Sequence, residues 1–309
     1  MAKQNKGENS PQKQERVKLK ILMETPEPKK KLKKIIKKEP VKSAPKPALK
    51  AVVKPKQKSV KPREPAVPRR ERIESGIINF DQYIEGGFKS NSINLLVGGA
   101  GSGKTIFAIQ FLLEGLKQGE ACLYLTFEEK KEKLYSDVKS FSWQLSNYEK
   151  KEKFFFLEFN PEQVKSLIEE GGGSIELLIE EHKVSRIVID SITSFSLLYQ
   201  DELARKEAAL ALFELINKWN CTAVLTSQAI MRDNVYETGS LEFEADSIII
   251  MYHYKVGKER QRALEILKMR GTKHTNKTLK LEITEKGLVV GNGQTVPNKG
   301  DVSLAADAP

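Results

Sequence analysis

Ile93-Asn94-Leu95-Leu96-Val97-Gly98-Gly99-Ala100-Gly101-Ser102-Gly103-Lys104-Thr105 is an apolar run that breaks into a glycine-rich loop and then opens a helix. From Gly98 to Thr105 every fixed position of G-x-x-x-x-G-K-[ST] is filled, in the place between strand and helix where that motif belongs. Glycines let the backbone curl into a concave nest whose N–H groups face phosphate oxygens, and the following helix adds the positive end of its dipole. The expected nucleotide-binding residues are Gly98, Gly99, Ala100, Gly101, Ser102, Gly103, Lys104, Thr105 and Ile106. The expected ligand is ATP with Mg2+, Lys104 reaching the β- and γ-phosphates and the Thr105 hydroxyl ligating the metal.

Working outward, a second metal anchor is needed, and Arg186-Ile187-Val188-Ile189-Asp190-Ser191 offers an apolar strand ending in a carboxylate. Open α/β sheets bind ligands at that end of their strands, so Asp190 is read as the other metal ligand, against the plainer reading of an Asp that caps a loop. Hydrolysis requires a group that orients or deprotonates water. Glu128 and Glu129 follow the strand from Cys122 to Phe127 and reach the same edge, where side-chain alternation lets only one face the phosphate. Gln228, ending the strand from Ala223, is placed to sense the γ-phosphate. For Glu129 and Gln228 a cap or surface role stands beside the functional one.

Apolar strands alternate with helices from about Arg72 onward, the pattern of an α/β fold with a mostly parallel central sheet flanked by helices. Strands are expected at Ile93 to Val97, Ala121 to Thr126, Phe154 to Phe159, Arg186 to Asp190 and Thr222 to Ser227. Helices are expected at Thr105 to Gln118, Lys131 to Phe141, Pro161 to His182 and Glu202 to Trp219. After Leu241 come strands without helices, Ser247 to Tyr254, Arg262 to Met269, Thr278 to Ile283 and Gly287 to Val290, expected as antiparallel additions to the same sheet.

The net charge of +11 is unevenly spread: residues 1–70 carry 23 Lys and Arg against 6 Glu, a net of +17, which leaves −6 for the remainder. Ten of the 13 prolines lie in that segment, among lysines. It cannot bury enough apolar surface to offset its ordering entropy, and is expected to be a disordered basic tail. Leu32, Ile35 and Ile36 at helical spacing leave three readings for it: a solvated tail, a nucleic-acid contact, or a membrane surface or protein partner. The expected organisation is tail 1–70, domain 71–291 and flexible tail 292–309. Two cysteines, Cys122 and Cys221, each opening an apolar run that reads as a buried strand, and no stretch of the roughly 18 apolar residues that a membrane span needs, imply a reduced, cytoplasmic protein.

From Arg72 to Val290 the chain resembles the KaiC-like branch of the RecA superfamily. The resemblance rests on the lead-in Arg72-Ile-Glu-Ser-Gly76 through Asp81 to Gly86-Gly87-Phe88, on Phe127-Glu128-Glu129, on Glu242-Phe-Glu-Ala245-Asp246 and on Lys268-Met269-Arg270-Gly271-Thr272-Lys273-His274. It implies a RecA-like P-loop NTPase fold and an ATPase in which Glu128 is the catalytic glutamate, often with a second Glu, here Glu129, beside it. It implies homo-oligomeric rings, hexamers, with ATP at each subunit interface and with Lys268 and Arg270 reaching the neighbour's nucleotide. Lys104 completes that catalytic set. Clock members of the family carry two such domains and a phosphorylated Ser/Thr pair. This chain has room for one domain, and near Ala229 to Ser240 its hydroxyls Thr238 and Ser240 are not adjacent, so neither clock function nor self-phosphorylation is implied. The alternative reading is a slow-turnover, nucleotide-gated module that grips nucleic acid through its tail.

Overall fold

The computed structural model describes residues 71–160, 162–163, 165–166, 171–196, 198–199, 201–228, 230–232, 235–237 and 244–295. The basic segment 1–70, Thr238, Ser240, Glu242 and Phe243 lie outside them. In chain order the elements are β1 (Arg72–Ile73), β2 (Phe88–Lys89), β3 (Ile93–Gly98), α1 (Lys104–Lys117), β4 (Ala121–Thr126), α2 (Lys131–Val138), α3 (Leu145–Glu149) and β5 (Phe154–Glu158). They continue with α4 (Gly173–His182), β6 (Val184–Asp190), α5 (Ile192–Ser196), α6 (Glu202–Trp219), β7 (Thr222–Gln228), β8 (Ile230–Arg232), β9 (Val235–Glu237), β10 (Ser247–Val256), β11 (Glu259–Met269), β12 (Leu279–Thr284) and β13 (Gly287–Thr295).

A nine-stranded sheet runs β5-β4-β6-β7-β3-β10-β11-β12-β13. The first six strands are mutually parallel, and β11, β12 and β13 follow as an antiparallel meander. β3 and β4 are buried at every position, which is why they read as unbroken apolar runs. Alternate side chains serve the two faces. Leu96, Tyr124, Val188 and Val224 pack beneath α1 with Phe107, Phe111 and Leu112. Leu95, Leu123, Ile187 and Leu225 pack against Ile175 and Ile179 of α4 and Leu212 and Ile216 of α6.

A buried charge interrupts the apolar face under α1. Arg186 has a side chain only 1% exposed, and its Nε lies 2.7 Å from Glu120 Oε2. Its Nη1 donates to the carbonyls of Glu74 (2.7 Å) and Phe111 (3.0 Å), so the buried charge is paired and bonded. Gly115 of α1 faces this guanidinium, where a Cβ would come within 2.5 Å of Arg186 Nε. The lead-in before β3 is tied down similarly: Gln110 of α1 donates to Gly76 O at 2.7 Å and accepts from Leu288 N–H of β13 at 2.7 Å.

The expected α/β, RecA-like architecture is the one found, with refinements. Of the four C-terminal strands, β10 joins the parallel half through β3, and the meander starts from it. The expected helix from Pro161 to His182 is broken: Gly171 and Gly172 take φ of +70° and +101°, and α4 begins only at Gly173. β13 runs on to Thr295. No helix among the described residues is long and apolar enough to cross a membrane.

Candidate nucleotide site

Four parallel strands end together. Gly98 pairs with Gln228 across β3 and β7, and Thr126 with Asp190 across β4 and β6, so the residues that follow them share the C-terminal edge of the sheet. At Gly98 a Cβ would lie 2.4 Å from the Met251 carbonyl of neighbouring β10, and Gly103 turns into α1 with φ +103°. No side chain caps the N-terminus of α1 and its first turn holds no acid, which leaves the first N–H groups and the dipole to an anion.

Lys104 Nζ donates to the carbonyls of Gly98 (2.7 Å) and Gly99 (2.9 Å), bridging its own loop. Burial pulls its pKa below the ordinary lysine range, opposed by the carboxylates of Asp190 and Glu128. Thr105 Oγ1 donates to Asp190 Oδ2 at 3.1 Å, joining residues 85 positions apart. The same Oδ2 accepts from Tyr124 OH at 2.6 Å, and Oδ1 accepts from Thr226 Oγ1. Tyr124 is fully buried, and burial first, then Asp190, drives its pKa far upward, so it stays a protonated donor.

The two glutamates part company. Both N–H groups donate to Thr126 Oγ1. Glu128 Oε1 accepts from Ser191 Oγ at 2.6 Å and from Ser194 Oγ, which holds its carboxylate beside the Asp190 strand end. Glu129 Oε1 instead pairs with Lys133 Nζ of α2 at 3.1 Å. Gln228 is exposed beside Gly98, its N–H donating to Thr193 Oγ1 at 2.7 Å.

Lys268 and Arg270 are not brought to this edge. Lys268 pairs with Ile248, which pairs with Leu95 inside β3. Arg270 stands exposed one residue beyond β11, with its N–H on Asp246 O, and Asp246 in turn bonds the Ile93 backbone. That is the start of β3, about 16 Å from Gly98 at ~3.3 Å per residue.

Several contributors had no sequence motif. Tyr124 and Thr226 lie inside apolar strands and read as core, although a hydroxyl at a buried strand position is itself a signal of a polar partner. Ser191 and Ser194 read as loop. His253 and Arg262, on strands far away in sequence, contact the carbonyls of Ala100 and Gly101.

Among the described residues no group of three or more His, Cys, Asp or Glu is arranged to hold a metal by itself. Thr105 Oγ1 and Asp190 Oδ2 form a pair of hard oxygen donors, which suits Mg2+, an ion bound through one or two protein oxygens together with phosphates and waters.

The family model described as "ATPase: KaiC" matches residues 73–295. The chain is 31% identical over 229 residues to the circadian clock protein KaiC3 of Synechocystis, covering 71% of this chain but 45% of that one. It is 30% identical over 234 residues to a UPF0273 protein of Thermotoga maritima, covering 71% of this chain and 96% of that one. Among solved structures, a KaiC-like protein from Pyrococcus horikoshii OT3 superposes with a TM-score of 0.64 at 34% identity, over 72% of this chain and 99% of the other. The chain thus spans less than half of the clock protein and nearly all of these two shorter relatives. On its fold, its phosphate loop and these matches, the chain belongs to the KaiC family of RecA-fold ATPases.

Proposed function

We propose that this protein is a Mg2+-dependent ATPase that works in the cytoplasm as a homo-oligomeric ring, with each nucleotide lying between neighbouring copies. The observation that carries the reading is the contact between Thr105 and Asp190, which closes the phosphate loop onto the end of β6. The loop N–H groups and Lys104 bind the triphosphate, whose oxygens are better acceptors for the ammonium than the carbonyls of Gly98 and Gly99. Thr105 and Asp190 are the residues that would hold magnesium, which would supply charge neutralisation for the triphosphate. Glu128, steadied by Ser191 and Ser194, orients a water and takes its proton as that oxygen bonds to the γ-phosphorus and the bond to the β-phosphate oxygen breaks, releasing ADP and phosphate. Gln228 lies next to the loop and senses the γ-phosphate. Lys268 and Arg270, at the far edge of their own chain, serve the neighbour's site. Cys122 and Cys221 are buried thiols outside any disulfide, which suits a reducing compartment.

The test is Glu128→Gln. ATP turnover falls about 10²-fold or more while Mg-ATP affinity stays within a few fold, and Glu129→Gln slows turnover less than about threefold. Undiminished turnover in Glu128→Gln would remove the assignment. The nucleic-acid alternative rests on residues 1–70, outside the described residues.

A further inference from the structure

The phosphate loop is gripped from behind. Within the loop, Lys104 takes the carbonyls of Gly98 and Gly99, while the next two carbonyls are met by the β10–β11 hairpin. β10 pairs with β3 only as far as Met251 and then runs on to Val256, which carries it past the end of β3 and alongside the loop. There His253 and Arg262 stand directly opposite one another on the two strands. Arg262 Nε donates to Gly101 O at 2.8 Å, and His253 Nδ1 lies 3.4 Å from Ala100 O. The His253 ring packs so closely under Gly101 that a Cβ there would sit 3.0 Å from Nδ1.

Gly101 O belongs to the same peptide as the Ser102 N–H. Among the described residues that N–H makes a single long contact, 3.4 Å to Gly99 O inside the loop, which leaves it available to a stronger acceptor. A cation on the carbonyl side of a peptide fixes its plane and polarises it, which makes its N–H a better donor. We propose that Arg262 is a positioning residue for nucleotide binding: its guanidinium holds the Gly101–Ser102 peptide with the N–H turned to the phosphates and strengthens that donor, without itself touching the nucleotide. The inference rests on the phosphate-loop reading above and adds to it a brace from a strand more than 150 residues away. Its outcome is a loss shared by ATP and ADP, because the peptide serves phosphates present in both.

The experiment compares Arg262→Met, Arg262→Gln and Arg262→Lys with the wild-type full chain, measuring ATP and ADP affinity by calorimetry, KM against kcat, and Tm without nucleotide. A single charge-assisted bond sets the scale, so Arg262→Met weakens both nucleotides about tenfold and raises KM about as much, with a smaller change in kcat. Arg262→Gln, a neutral donor, falls between Met and wild type, and Arg262→Lys recovers part of the loss. Wild-type affinity in Arg262→Met, or a lowered Tm with unchanged affinity, would show a mere strand brace and overturn the proposal. If the Met variant does not fold, the Gln and Lys variants decide by the same criteria. Failure of the phosphate-loop reading looks different: wild-type protein that binds no ATP, or Lys104→Ala that binds it equally well, sinks both.

Discussion

At the C-terminal edge of the parallel strands, Lys104 and Thr105 of α1, Asp190 of β6 and Glu128 beyond β4 come together through hydrogen bonds and shared electrostatics. At the opposite edge Lys268 and Arg270 sit beside the beginnings of β3 and β10, with the thickness of the sheet's strands between them and any phosphate held in the loop. Both groups carry charge suited to phosphates, but only the first is gathered around the phosphate loop of its own chain. The difference teaches that a role for the far pair in phosphate chemistry requires the neighbouring copy of the proposed ring. A head-to-tail interface, in which one patch meets a different patch of the next copy, is the arrangement that closes into a ring.

The largest effect breaks or confirms that division. Arg270→Ala should lower turnover about 10³-fold, the scale of a charge supplied in trans to phosphoryl transfer. Mixing it with Glu128→Gln, two nearly inactive proteins, should restore activity. About a quarter of randomly formed head-to-tail interfaces then pair an intact Glu128 with an intact Arg270. Undiminished turnover in Arg270→Ala would place Arg270 outside the reaction, and a loss with no recovery on mixing would exclude its action in trans.

A third far-edge residue sharpens the contrast by stability alone. Glu120 precedes β4 and pairs with buried Arg186. Glu120→Ala strands that guanidinium, which should cost about 3 kcal/mol in denaturant unfolding. Nucleotide affinity of the folded protein should be unchanged, because Glu120 lies at the edge away from the loop. A shift in affinity with no loss of stability would contradict this.

What was legible in the sequence follows the same division. The loop from Gly98 to Thr105 and the strand ending at Asp190 could be read because each is a contiguous stretch with fixed spacing, and the long central strands because burial on both faces leaves unbroken apolar runs. β1 and β2, two residues each, are too short to show a period, and the break at Gly171–Gly172 was hidden inside an otherwise helical pattern. Adjacency put Glu128 and Glu129 at one strand end, and the preference for Glu128 came chiefly from the resemblance. Their different partners, Ser191 and Ser194 for Glu128 and Lys133 for Glu129, are ones that only the folded chain brings close. The hydroxyls of Tyr124 and Thr226 and the guanidinium of Arg262 escaped notice for a related reason: each acts across strands, on an atom far away in sequence.

The claim on which the rest depends is that the loop ending in Lys104 and Thr105 encloses a magnesium-bound triphosphate. Calorimetric titration of Mg-ATP into the wild-type protein and into Lys104→Ala tests it most directly. One site per chain in the wild type, weakened at least about 100-fold without the ammonium, is the expected result. Equal binding heats in the two proteins, or none in the wild type, would contradict it.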